Sequence, residues 1–109
     1  MVLASRPPPP RVPPISHKGI RYEQIKVPEN LGFDQSTGCL GAFEESTGKQ
    51  LWAIKIYDNH IDPGLESDVQ QVYFESMHLA ADERHLIITN ESEERFIVNI
   101  ETHVVVQTP

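Results

Sequence analysis

Histidine and cysteine are the side chains in this sequence best suited to bind a transition metal or to act as a nucleophile. The chain has one cysteine, Cys39, with no neighbouring base or further ligand in the sequence. It also has five histidines, none in a His-x-His pair and none four residues from another. They are His17, His60, His78, His85 and His103. We therefore predict no metal site and no catalytic residue, and expect Cys39 to be a small, half-buried strand residue.

Four carboxylates, the ligand type that calcium prefers, lie close together in the sequence. They are Asp58, Asp62, Glu66 and Asp68. Their spacing fails the EF-hand pattern, because Pro63 occupies the glycine position and Val69 that of the bidentate glutamate. We interpret the segment as a solvated acidic loop. The six glycines are isolated rather than gathered in a phosphate-binding loop, so the sequence also predicts no cofactor.

Aromatic side chains provide the remaining candidate site. A rolled β-sheet that enclosed a small molecule would line its pocket with such residues. The candidates for lining it are Tyr22, Trp52, Tyr57 and Tyr73. The same side chains would also serve as ordinary core, so a ligand-lining role and a packing role both stand as interpretations.

The charge balance argues against two classes of partner. The chain of 109 residues carries 16 acidic and 9 basic residues, a net charge of −7. The basic residues are scattered and form no stripe that could follow phosphates, so we expect neither a nucleic acid nor an anionic membrane as partner. A single cysteine permits no intramolecular disulfide, and the N-terminus lacks the apolar region of a signal peptide. We predict a cytoplasmic protein.

Residues 1–16 differ in composition from the remainder. Proline is concentrated between Pro7 and Pro14, and this favours a polyproline II or disordered leader. The Pro-x-x-Pro spacings are those that SH3-type grooves bind, so a peptide-adaptor role is one alternative. Residues 17–109 are predicted to form a single domain.

The elements of that domain are mostly predicted strands. The clearest covers residues 50–57, where Trp52, Ile54 and Ile56 alternate with less apolar positions and are expected to face the core. Residues 69–80 combine helical spacing with a β-rich Val-Tyr-Phe run, and we favour the strand. The other predicted strands cover residues 20–27, 39–44, 86–89, 95–100 and 104–106.

Short connections between consecutive strands predict antiparallel neighbours. The predicted fold is therefore all-β, with one short helix if residues 69–80 are helical. We expect an antiparallel meander of about seven strands, in a partly rolled sheet or small barrel.

One hairpin carries a recognisable pattern. In residues 42–52 an acidic residue and hydroxyl side chains surround a turn at Gly48, and Trp52 begins the next strand. This string resembles the Ala-x-Asp-x-x-Thr-Gly-Lys-x-x-Trp repeat of quinoprotein-type β-propellers, with Glu44 in place of the aspartate. The resemblance implies a strand–turn–strand. A propeller closed within one chain is excluded on length, since it needs about four or more four-stranded blades.

Residues 18–106 also resemble small uncharacterised bacterial proteins of the mobile-gene-cassette type. That resemblance rests on the Thr-Gly-Lys-x-x-Trp hairpin, on Asp68-Val69-Gln70 and on Asn90-Glu91, and it implies no activity. The lack of a catalytic signature favours a non-enzymatic binding or accessory module that forms a homo-oligomer or binds a protein partner. The alternative is a small-molecule-binding protein or minor enzyme with a pocket in the rolled sheet.

Overall fold

The computed structural model describes residues 8–59, 64 and 70–109. Within these ranges the chain forms eight strands and one 3-10 turn, Pro28–Leu31. The strands are β1 (Ile15–His17), β2 (Ile20–Gln24), β3 (Cys39–Glu44), β4 (Gln50–Lys55), β5 (Phe74–Leu79), β6 (His85–Asn90), β7 (Arg95–Asn99) and β8 (Val105–Thr108). The all-β prediction is confirmed.

The strands form two separate sheets, and this corrects the expectation of about seven strands in one rolled sheet. The first sheet has the order β1-β2-β3-β4 and the second the order β5-β6-β7-β8, and every neighbouring pair is antiparallel. Each sheet is therefore a meander of consecutive strands, as short connections require. The described strands form no closed barrel.

Local sequence explains where the strands begin and end. Pro28 follows β2 and opens the 3-10 turn, which ends at Gly32 with a φ of 90°. The ambiguous segment at residues 69–80 forms a strand over Phe74–Leu79, so the strand interpretation is confirmed there. Its start, Val69, lies outside the described residues, as do Asp62, Glu66 and Asp68 of the acidic loop.

One face of the first sheet, which we call its front, packs against the second sheet. Paired positions across the four strands place Ile15, Tyr22, Ala42 and Trp52 in one row on this front. They share a core with the second sheet, whose contribution centres on Leu86, Ile88, Phe96 and Val98. All four of these are almost fully buried, so the layer between the sheets is the hydrophobic core.

Side-chain amides join the two sheets where the core reaches the loops. The Gln24 side-chain oxygen, at the end of β2, accepts a hydrogen bond from the backbone N–H of Phe74 at 2.8 Å. The Asn59 side chain accepts from the backbone N–H of Val72 at 2.9 Å and from the hydroxyl of Thr37. These bonds satisfy the backbone N–H groups of Val72 and Phe74, and they hold the first sheet in place against the segment that leads into the second sheet.

The predicted leader boundary falls inside a strand. Ile15 and Ser16 pair with Tyr22 and Arg21 as part of β1. Val12 packs against the core. The end of the predicted leader is therefore part of the first sheet. The strand starts at Ile15 because this residue and the next two have the backbone N–H groups that the preceding prolines lack.

Truncation of Ile88 tests the position of the core. Ile88 is fully buried, and Ile88→Ala should lower the free energy of unfolding by about 2–5 kcal/mol because it leaves a cavity. Val27→Ala, at a half-exposed position, is the control and should change it by less than about 0.5 kcal/mol. Urea denaturation measures both. Equal effects of the two substitutions would contradict the proposed core.

Candidate interaction faces and the repeated turn

The four aromatic candidates do not converge on one cavity. Tyr22 is buried and its ring lies 6.0 Å from that of Trp52. Tyr57 stacks on Phe96 with ring centroids 5.2 Å apart, and its hydroxyl donates to the carbonyl of Val72. Tyr73 borders a different concavity beside the Pro-rich segment. The structure thus brings Tyr22 and Trp52 together and places the other two elsewhere.

The environments of Tyr57 and Cys39 suppress ionisation. Burial, reinforced by Glu91, raises the pKa of the Tyr57 phenol. Burial also raises the pKa of the Cys39 thiol to about 11, with a smaller opposing effect of Lys55. A thiol with that pKa is almost entirely protonated at neutral pH, and the thiolate is the nucleophilic form. Cys39 is fully buried and is therefore a packing residue in β3, more deeply placed than the half-buried position we expected.

The described part of the chain contains no group of three or more His, Cys, Asp or Glu residues that could hold a metal ion. Two of the side chains considered above as possible metal ligands, Asp58 and His85, pair with a neighbouring charged residue instead. Asp58 lies 2.6 Å from the Lys55 ammonium, and the His85 ring nitrogen lies 2.6 Å from the Asp82 carboxylate.

The turn between β3 and β4 is built from the hairpin that resembles a propeller repeat. The backbone N–H of Glu44 donates to the carbonyl of Lys49 at 2.8 Å, and that of Gly48 donates back to Glu44 at 2.7 Å. The Thr47 hydroxyl accepts from the N–H of Lys49 at 3.1 Å. Gly48 has a φ of 77°, a conformation that glycine adopts without steric cost.

The turn between β7 and β8 repeats this bonding at equivalent positions. Asn99 N–H donates to the carbonyl of Val104 at 2.9 Å, and His103 N–H donates to Asn99 at 2.8 Å. The Thr102 hydroxyl accepts from Val104 N–H at 3.3 Å. His103 takes the position of the glycine with a φ of 65°. Both sheets therefore carry the same turn between their third and fourth strands.

The repeat was not evident in the sequence because, of the six signature positions, the second turn keeps only the threonine. His103 stands where the first copy has Gly48, and the second copy has no tryptophan in its last strand. What survives is the spacing of a polar residue and a threonine, Glu44 and Thr47 in one copy and Asn99 and Thr102 in the other. This spacing is the signal that would have identified the second copy.

Trp52 connects the first hairpin with the equivalent turn of the second sheet. Its ring lies on the His103 ring, with centroids 4.1 Å apart and planes inclined by 32°. The tryptophan of the first copy therefore packs on the turn of the second. This contact lies at the outer strands of both sheets and fixes how the first sheet is stacked on the second.

The second sheet has a front equivalent to that of the first. Ile97 lies two residues before Asn99 of its turn, just as Ala42 lies two residues before Glu44, so the two positions are equivalent. The row of paired positions through Ile97 is His78, Ile87, Ile97 and Val106. This row lies on the opposite face from the buried Phe96 and Val98, because side chains alternate along a strand. The front of the first sheet is covered by the second sheet. Over the described residues the front of the second sheet is open, with His78 and Val106 exposed and Ile87 and Ile97 half-buried.

The open front is apolar at its centre. Val104 and Val106 are 56% and 55% exposed. Together with Ile97 they border a concavity whose other lining residues are His85, Asn99 and Thr102. These exposed side chains make the concavity a candidate interaction surface.

The first sheet also has an exposed face, its back. Leu51 and Ala53 lie there, on the opposite side of β4 from Trp52, and Leu51 is 44% exposed. Phe43 lies on the same face and covers the backbone at Gly41, where an added Cβ would meet the ring at 2.7 Å. The Arg21 guanidinium lies 5.3 Å from the Phe43 ring and 3.4 Å from the Glu23 carboxylate. This back combines an apolar centre with a paired charge.

Comparison with protein-family models found no matching model, and comparisons with curated proteins and with solved structures found no match. Among the residues that the structure describes, no helix has the length and apolar character needed to cross a membrane.

The reactivity of Cys39 tests its assignment as a packing residue. At pH 8 we expect the native thiol to react with a disulfide reagent at least about 100-fold more slowly than the urea-unfolded chain, because burial raises its pKa and blocks access. The release of the reagent chromophore measures both rates. Rates within tenfold of each other would contradict the assignment.

A double-mutant cycle tests the contact between Trp52 and His103. We expect Trp52→Leu and His103→Ala to be coupled by about 0.5–1.5 kcal/mol in urea denaturation, because each removes one ring of the pair. His78→Ala, on the open front, is the control and should be additive with Trp52→Leu. A coupling to His103 no larger than that to His78 would show that the contact does not stabilise the fold.

Proposed function

We propose that this chain is a non-enzymatic binding module that associates with other copies of itself. The observation that carries the proposal is the open front of the second sheet, with its apolar centre at Ile97, Val104 and Val106. The equivalent front of the first sheet is covered by four strands. A second sheet that presents the same row of positions without such a cover is a surface suited to the same kind of partner.

Small size supports the proposal. A chain of 109 residues buries a modest fraction of its surface, so its stability margin is thin. Association that covers an apolar face adds to the stability of the folded state by mass action. The two exposed faces offer a way to gain this stability.

A groove beside the Pro-rich segment favours the second candidate function, binding of a small molecule. Its volume is about 550 Å³, and it is lined by residues 9–14, residues 23–26 and Tyr73. Pockets of that size and largely apolar character hold drug-sized molecules. Tyr73 is one of the aromatic residues that the sequence nominated for ligand lining.

Light scattering across a concentration series tests self-association. We expect a mass above that of the 12.4 kDa chain, increasing with concentration. Raising the salt concentration should increase it further, because each copy carries a net charge of −7 and salt screens the repulsion between copies. A mass of one chain at every concentration and ionic strength would overturn the proposal.

A further inference from the structure

We infer that copies of this chain stack head to tail, with the front of the second sheet of one copy on the back of the first sheet of the next. The inference rests on the proposed self-association and specifies which surfaces meet. Its basis is the arrangement inside a single chain, where the front of one four-stranded sheet already covers the back of another.

The equivalence of the two sheets gives the stacking its direction. Both carry the same turn between their third and fourth strands, at Gly48 and at His103. Relative to these turns, the front of the first sheet packs on the back of the second. A further sheet added by the same operation would place its back on the row Ile87, Ile97 and Val106. The first sheet of another copy supplies such a back.

Exposed apolar side chains are found on both surfaces that this stacking would join. The described residues include five large hydrophobic side chains that are exposed. Val104 and Val106 lie on the open front, and Leu51 lies on the open back, so three of the five belong to the two ends of the stack. The remaining two, Val27 and Leu31, lie at the 3-10 turn.

The ends differ in a way that disfavours pairing of two fronts. The back of the first sheet presents a small residue, Ala53, beside the larger Phe43 and Leu51, and the Phe43 ring covers Gly41. The open front presents the branched side chains of Ile87, Ile97 and Val106. Branched side chains pack closely against a surface that has a small residue opposite them. Two identical rows of branched side chains would place large residues opposite large ones and pack less closely.

Head-to-tail contacts form rings when the rotation between copies closes and filaments when it does not. Each copy contributes two four-stranded sheets. Closed circular arrays of such sheets contain about four to eight of them, so a ring of this chain would hold about two to four copies. A closed ring would therefore have a discrete mass.

Mixing two variants tests the direction of stacking. The front variant, Val104→Asp with Val106→Asp, keeps an intact back, and the back variant, Leu51→Asp, keeps an intact front. Each variant alone should be monomeric, because a buried unpaired carboxylate is strongly unfavourable. Mixed in equal amounts, they should form a complex of one front variant and one back variant, with twice the 12.4 kDa chain mass. Light scattering after size-exclusion chromatography measures this.

The control is Val27→Asp, which adds the same charge at a comparably exposed position beside the 3-10 turn, and it should assemble as the wild-type chain does. Circular dichroism and thermal unfolding establish that each variant is folded. If an aspartate variant fails to fold, Val106→Thr and Leu51→Thr replace the pair, and each should raise the concentration needed for half-assembly.

Two results would overturn the inference. If the back variant alone assembled as the wild type does, the back would not be part of the interface, which contradicts head-to-tail stacking and leaves the proposed self-association intact. If the wild-type chain were monomeric throughout, both would fail. A one-to-one complex of the two variants, each monomeric alone, is the result that symmetric pairing cannot produce.

Discussion

The burial of one sheet against the other is the interaction on which the rest of this structure depends. A four-stranded meander with one apolar face needs a second layer to cover that face and complete a hydrophobic core. In this chain the cover comes from the second sheet, through Leu86, Ile88, Phe96 and Val98. Because side chains alternate along each strand, the same register that buries these residues directs Ile87 and Ile97 to the opposite face. The open front is thus a direct consequence of how the core is made.

The repeated turn shows how the two units differ at equivalent positions. Gly48 takes its positive φ without strain, whereas His103 takes the same conformation at the steric cost of a non-glycine residue in the left-handed region. In the second sheet the His103 ring contacts Trp52, a contact that glycine could not make. A local cost is therefore offset by packing between the sheets. A Cβ added at Gly48 would meet no described atom within 4 Å.

Local sequence predicted the strands well and their assembly less well. Cys39–Glu44 matches its predicted bounds, because two turn signals flank it. Trp52, Ile54 and Ile56 face the core, as alternation predicted. The division into two sheets was missed, since strand pairing depends on contacts distant in sequence, such as that of Gln24 with Phe74. Strand β1 was missed because its three residues follow a proline run.

The candidate site was harder to predict than the fold. Tyr22 and Tyr57 were nominated by residue type, and type alone does not distinguish a pocket from a core. Val104 and Val106 were predicted to be strand residues. Which face of β8 is open depends on how the two sheets stack and on the turn at His103, which the sequence did not reveal. Burial in a layered β protein is decided by the neighbouring sheet, and no short stretch of sequence specifies that neighbour.

Methyl NMR of the wild-type chain during dilution tests the head-to-tail account most directly, because it reports on both faces in one sample. The account predicts that the methyl resonances of Val104, Val106 and Ile97 shift with concentration together with those of Leu51, with the same midpoint, while those of Val27 and Leu31 stay in place. Shifts confined to the front residues, with Leu51 unchanged, would contradict it.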